Sequence, residues 1–262
     1  MEACRQTPKV DIGLISRQNQ AGPIGRVDHE VLGSNPFPCF IDFEASSLEH
    51  NSYPIEVAWS DADGRIESWL MDPSGVSSWT DWDDRIEAEL HGLSQETLRL
   101  LGCSPSWVAR RLNEACAGQA LYCDGGPFDH YWLYRLFQAA GVRPAFKLAD
   151  AGDLFERYLA PESLTALAKK ARSLVGYRHR AAPDVHYQQV LWRLILTESE
   201  EMHGAAKKRV SDGGTASEAS SHAMDGHWQA TQPGHATVPI EAPVQDSSLP
   251  RRLYLCLSGV DG

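Results

Sequence analysis

The chain has 262 residues, of which 42% are hydrophobic and 9% aromatic, with a formal net charge of −11 at pH 7 and a pI of about 5.3. That length allows one domain of ordinary size with flanks, or two small ones. The negative charge argues against a protein that coats nucleic acid through bulk positive charge, but not against an enzyme that gathers carboxylates around divalent metal. The six cysteines form no CxxC pair, which suits reduced thiols better than a disulfide framework or a zinc site. No apolar run is long enough to span a membrane, and Met1 to Arg26 lacks a signal-peptide core, so the expected location is the cytoplasm.

Composition divides the chain into three. Residues 1–35 hold no sustained periodicity and are rich in Gln, Gly, Pro and Asn, the pattern of a disordered tail. Residues 36–197 carry nearly all the periodic apolar pattern and form the expected domain. Residues 198–262 are rich in Ser, Ala, Gly, His, Thr, Pro and Gln, too polar to offset the entropy of ordering.

Within the domain, Phe37–Phe43 reads as a first strand. Ile55–Ser60 and Ile66–Met71 flank Asp63-Gly64, a dipeptide suited to a tight hairpin turn. Ser94 caps a helix running to about Leu101, and Ser104-Pro105 opens a second that stops at Gly118. Ala120–Cys123 is a short buried strand, and Phe128–Ala140 a helix ended by Gly141. Phe146–Leu148 is another strand, followed by helical patterns at 151–159 and 162–174. Pro183 sits in the first turn of a last helix reaching about Leu196. A hairpin followed by alternating helices and strands predicts a mixed α/β sheet covered by helices.

Three acidic pieces stand out on this frame. Asp42-Phe43-Glu44 ends the first strand, where alternation puts both carboxylates on one face and Phe43 in the core. Asp129 opens a helix directly after a central strand, in Gly126-Pro127-Phe128-Asp129. His179-Arg180-Ala181-Ala182-Pro183-Asp184 places a histidine in the loop before the last helix and an acid in its first turn. Hard cations such as Mg²⁺ or Mn²⁺ take oxygen ligands, and a histidine with a pKa near its ordinary value can act as a general base. Each piece alone also has a bland reading: a strand ending at the surface, a helix cap, a loop histidine beside a capping acid.

Taken in order, the three pieces resemble the DEDDh, DnaQ-like exonucleases, a family that includes RNase T. Leu90-His91-Gly92-Leu93-Ser94 resembles a stretch the family often carries between its first two motifs. The resemblance covers about residues 37–197 and implies a ribonuclease H-like sheet of five strands, the second antiparallel to its neighbours. It implies that Asp42, Glu44, Asp129, His179 and Asp184 form the active site. Asp42 would bridge two Mg²⁺ or Mn²⁺ ions, with Glu44 and Asp184 completing one site and Asp129 holding the other partly through water. His179 would take the proton of the water that attacks the terminal phosphodiester, releasing a nucleoside 5'-monophosphate. Two departures bear on substrate fit: Gly125-Gly126 ahead of the second-motif acid, and Ala45-Ser46-Ser47 after the first motif.

Residues 37–197 hold 15 Lys and Arg against 22 Asp and Glu, a net of −7. Between Glu162 and Asp184, however, no acid occurs while Lys169, Lys170, Arg172, Arg178 and Arg180 do. Arg180 and Arg178 are therefore the expected phosphate contacts, and Lys169, Lys170 and Arg172 a helix face partly in solvent. His91 and Leu93 are expected by family analogy to line the pocket for the terminal base. Trp59, Trp69, Trp79 and Trp82 read as packing residues. The expected partner is the 3' end of single-stranded RNA or DNA; a homodimer is compatible with the sequence, and no partner protein is identifiable. The alternative reading is a catalytically weak nucleic-acid-binding module of the same fold.

Overall fold

A computed structural model of the chain describes residues 37–176 and 179–212. It divides into two units, Met1–Gly204 and Ala205–Gly262. The first holds the sheet, the core and the site; of the second, only residues 205–212, the last turns of the final helix, are described.

The first unit is built on a five-stranded sheet: β1 (Cys39–Ala45), β2 (Pro54–Ser60), β3 (Ile66–Leu70), β4 (Ala120–Cys123) and β5 (Lys147–Asp150), in the order β3-β2-β1-β4-β5. β2 runs antiparallel to both β1 and β3, while β1, β4 and β5 are parallel. The helices are α1 (Gln95–Leu101), α2 (Pro105–Cys116), α3 (Pro127–Ala140), α4 (Ala151–Phe155), α5 (Pro161–Val175) and α6 (Ala181–Asp212). This is the mixed, helix-covered sheet that the sequence pattern predicts, with the ribonuclease H-like strand arrangement that the resemblance implies.

Alternation along β1 separates two layers. Ile41, Phe43 and Ala45 face a core shared with Val57, Trp59, Leu112 of α2 and Leu136 of α3. Phe40 faces the opposite core, with Ala58, Leu154, Leu167, Val185 and Trp192. Asp42 and Glu44 continue that second face beyond Phe40, where the apolar layer gives way to carboxylates. On α6 the fully or nearly buried positions Ala181, Val185, Gln188, Trp192, Ile195 and Ser199 recur at helical spacing and lay one face of the helix along the unit.

Local signals explain most boundaries. The hairpin turn has Gly64 at φ +77, a conformation that favours glycine. Its backbone is further held by Asp61, whose Oδ1 accepts from the N–H groups of Asp63 and Arg65 at 2.9 Å each. Ser94 and Ser104 cap α1 and α2, and Gly141 ends α3.

Four spans differ from expectation. β1 lies two residues later than the apolar run suggests, because Pro38 cannot donate to the ladder. β5 starts at Lys147 and runs on to Asp150, and α4 is shorter than the pattern at 151–159. α6 continues to Asp212, well beyond Leu196, through a Glu-, Ala- and Lys-rich stretch with acids ahead of bases, which favours helix. Between β3 and α1, Asp84–Ile86 and a wider turn at Glu87–His91 form a short helical passage that ends at Gly92.

Cys39, Cys116 and Cys123 are free, buried thiols, but the buried Cys103 is disulfide-bonded, which corrects the expectation of reduced cysteines throughout. Among the described residues no helix is long and apolar enough to cross a membrane.

Candidate metal centre and its surroundings

The parallel strands β1 and β4 lie side by side, with Cys39 opposite Leu121 and Phe40 opposite Tyr122. Their carboxyl ends, the usual place for ligands in sheets of this kind, deliver the acids. Oxygens of Asp42, Glu44 and Asp184 lie within 4.8 Å of one another, and so do those of Asp42, Asp124 and Asp129. Asp42 belongs to both trios. Four of the five residues singled out in the sequence are thus brought together. Asp124 joins them, although the sequence offers a turn-forming role for it in Asp124-Gly125-Gly126.

Asp129 lies in the first turn of α3 and is 1% exposed. It does not cap the helix; its Oδ2 accepts from the Gly125 N–H at 2.9 Å. A Cβ at Gly125 would stand 2.6 Å from that oxygen, so the loop can wrap the carboxylate only with glycine there. Gly125 is therefore a packing requirement rather than a loosened motif.

Crowding raises every one of these carboxyls. Asp42 and Glu44 are held well above the ordinary range, first by burial, then by repulsion from Asp184 on Asp42 and from Glu56 on Glu44. Asp129 rises to about 8 through burial and the charge of Asp124, against the Gly125 hydrogen bond. Asp124 rises to about 6, through crowding of its carboxyl by protein atoms and repulsion from Asp184, although the residue as a whole is solvent-exposed. Asp184 is raised by burial and restrained by its contact with Arg172.

Among the described residues, six carboxyl groups (Asp42, Glu44, Glu56, Asp124, Asp129, Asp184) are matched by two guanidiniums, those of Arg172 and Arg180. The excess of four negative charges is what two divalent cations carry, and an all-oxygen donor set suits Mg²⁺ or Mn²⁺. The residues therefore fit such ions.

The raised pKa values have a consequence for stability. A carboxyl with a higher pKa folded than unfolded favours the fold at low pH, and that contribution is lost as pH rises through the folded value. Metal-free protein is accordingly expected to be more stable at pH 5 than at pH 8, the window set by Asp129 at about 8 and Asp124 at about 6. In EDTA at pH 8, Asp129→Asn is expected to raise the melting temperature by about 5 °C, roughly 2 kcal/mol for a chain of this size. Thermal unfolding of both proteins at the two pH values checks this; a wild-type midpoint that does not fall from pH 5 to pH 8 contradicts it.

The basic residues are placed differently from expectation. Arg180 was predicted to reach substrate phosphate, but its Nε and Nη2 donate to Oε2 and Oε1 of Glu56 at 2.7 and 2.9 Å. Glu56 is 3% exposed on β2, directly opposite Glu44, and also accepts from the Ala181 N–H at 3.2 Å. A buried carboxylate beside a second one demands a cation, and Arg180 supplies it, which ties the His179 loop to the sheet. Arg172, expected on a solvated helix face, instead donates to Asp184 Oδ1 at 2.8 Å and lies 3.7 Å over the Tyr187 ring. Lys169 and Lys170 are exposed as expected. Arg178 lies outside the described residues. Glu56 had no motif to mark it; its sole sequence signal is an acid inside an otherwise apolar strand, Ile55-Glu56-Val57.

Glu56→Gln keeps the shape of the side chain and strands the Arg180 charge. It is expected to cost about 3 kcal/mol, the low end for breaking a buried pair, because the Arg180 side chain is 37% exposed. A denaturation midpoint equal to wild type would show that the pair contributes nothing.

His179 occupies the loop before α6, five residues ahead of Asp184, and is half-buried. Burial lowers its pKa, Asp184 opposes that, and Arg172 adds to it. His91 and Leu93, expected against a substrate base, are 4% exposed each. Leu93 packs with Tyr53, Ile55, Leu70, Trp79 and Leu98, so its side chain is core rather than pocket lining. His91 Nδ1 accepts from the Leu93 N–H at 3.0 Å, and burial lowers its pKa to about 4, so the ring is neutral. Its Nε2 has no hydrogen-bond partner among the described residues. The tryptophans pack as predicted: Trp59 and Trp69 are buried, and Trp79 stacks on Tyr53 at 5.1 Å.

No family model matches the chain. No curated protein sequence matches it either. Solved structures do. It is similar to E. coli exonuclease I in complex with a dT13 oligonucleotide, at 15% identity and a TM-score of 0.50, over 65% of this chain and 43% of that one. It is also similar to the zinc-bound form of the E. coli exonuclease I–single-stranded DNA complex (15% identity, TM-score 0.48, 65% and 42% covered). A further match is a moderately thermophilic exonuclease I from Methylocaldum szegediense (16% identity, TM-score 0.47, 60% and 39% covered). The chain spans about two fifths of the length of these structures. At such identity the likeness shows the fold alone, the one this chain shares with exonuclease I.

Proposed function

We propose that the protein is a metal-dependent 3'-to-5' exonuclease that hydrolyses the terminal phosphodiester of single-stranded nucleic acid and releases nucleoside 5'-monophosphates. The observation that carries this reading is the pair of carboxylate trios joined through Asp42. A shared acid between two oxygen cages is what two neighbouring divalent cations need, and such a pair supplies charge stabilisation to both the attacking and the leaving oxygen of an in-line displacement at phosphorus. Asp42, Glu44 and Asp184 would hold one ion, and Asp42 with Asp129 the other. His179 would take the proton from the attacking water, since its lowered pKa keeps the ring neutral at physiological pH. Arg180, engaged by Glu56, would position the His179 loop rather than bind phosphate. Arg172 would balance Asp184 and hold it ready to ligate.

Single-stranded DNA is the substrate class that the exonuclease I complexes suggest, and single-stranded RNA offers the same phosphodiester backbone to the metal centre. Direction is tested by end-blocking. A substrate carrying a 3'-terminal phosphorothioate is expected to resist digestion at least tenfold more than one carrying it at the 5' end. Equal digestion of the two would replace the exonuclease reading with an endonuclease.

A further inference from the structure

The turn after β4 holds an acid that the reading above leaves without work. Asp124 follows Cys123, whose position is set by parallel pairing with Asp150, and stands at the carboxyl end of the strand beside β1. One of its oxygens lies within 4.8 Å of an oxygen of Asp42 and of one of Asp129. A turn-forming aspartate needs no such neighbours. An acidic cluster by itself carries little, but a second observation points to a missing ligand.

Gln188 lies on α6, one turn after Asp184, and is 0% exposed. Its Nε2 donates to Asp124 Oδ1 at 3.1 Å. The other end of the same amide, Oε1, is buried and has no hydrogen-bond partner among the described residues. A buried acceptor is ordinarily satisfied. The same amide reaches Asp124 through its Nε2, so the unpartnered oxygen stands one amide's width from a carboxylate, which is itself an acceptor and cannot satisfy it. A hydrated divalent cation supplies what is lacking, its charge to the carboxylates and its water protons to the amide oxygen.

We propose that Asp124 is a fifth carboxylate of the metal centre, a direct ligand of the cation held by Asp42 and Asp129, and that Gln188 holds it in place from α6. The proposal rests on the metal-dependent reading above and makes it more specific. With Asp124 included, each of the two ions meets three carboxylates, so the second site no longer depends on Asp129 acting partly through water. Both ions then bind before nucleic acid arrives.

The test is Mn²⁺ binding to the full chain without nucleic acid, followed by the electron paramagnetic resonance of free Mn²⁺. Wild type is expected to bind two ions. Asp124→Asn, which keeps the side-chain shape, is expected to retain one and to weaken the other at least tenfold. Gln188→Met, which fills the same space without the amide, is expected to weaken that same site severalfold and serves if the first variant misfolds. A variant with Asp124→Asn and wild-type stoichiometry and affinity overturns the proposal while leaving the two-cation reading intact. Wild type that binds a single ion also overturns it. Wild type that binds no Mn²⁺ overturns both.

Discussion

Asp42→Asn is expected to lower turnover by about 10³–10⁴-fold, equivalent to about 4–5.5 kcal/mol of activation free energy, while leaving the fold intact. Asp42 is the acid common to both trios, so replacing it weakens both at once. The substitution is gentle on the structure for the same reason that it is severe on activity. Burial and neighbouring charges already hold the Asp42 carboxyl well above its ordinary pKa, so metal-free protein accommodates a neutral group there. The check is kcat at saturating Mn²⁺ on samples matched by circular dichroism. Activity within a few-fold of wild type would remove the two-cation account.

His179→Ala is the second large effect. Proton transfer by a positioned side chain contributes about 10²–10⁴-fold, and the variant is expected to lose about that factor in kcat with the carboxylates unaffected. The sign of the pH dependence follows from the direction of the shift. A base acts in its neutral form, so the wild-type rate rises with pH through the His179 pKa and then levels. Burial moves that pKa below 6.5, so the rising limb lies on the acid side of it. In His179→Ala the limb shifts or disappears. A bystander histidine gives a rate within a few-fold of wild type and the same profile, measured from pH 5 to 9.

Much of the fold was legible because its signals are local. The serine caps of α1 and α2, the Asp63-Gly64 turn and the glycine ending α3 act over a few residues, and each appears where the sequence places it. The gathering of Asp42, Glu44, Asp129 and Asp184 was implied by the family resemblance of the three pieces taken together, not by any piece alone. What was not legible depends on partners far apart. Arg180 and Glu56 are 124 residues apart, and no local pattern says that the guanidinium turns inward to a β2 carboxylate. Asp124 is bound by Gln188 from 64 residues away, and the turn chemistry around it supplies a sufficient local explanation that hides the longer contact. Leu93 sits in a segment with a family-like appearance, yet its burial is decided by Tyr53, Trp79 and Leu98. The extent of α6 was missed for a different reason. Its later turns are polar, so apolar periodicity stops before the helix does.

The central claim is a metal-dependent cut at the 3' end. Its most direct test is a digest of 5'-labelled single-stranded DNA and RNA by the full chain, with Mn²⁺ or with EDTA, resolved to single nucleotides. The account predicts a ladder shortening one nucleotide at a time from the 3' end, nucleoside 5'-monophosphates as the released product, and no reaction in EDTA. Internal fragments, cleavage that persists in EDTA, or intact substrate in every lane would contradict it.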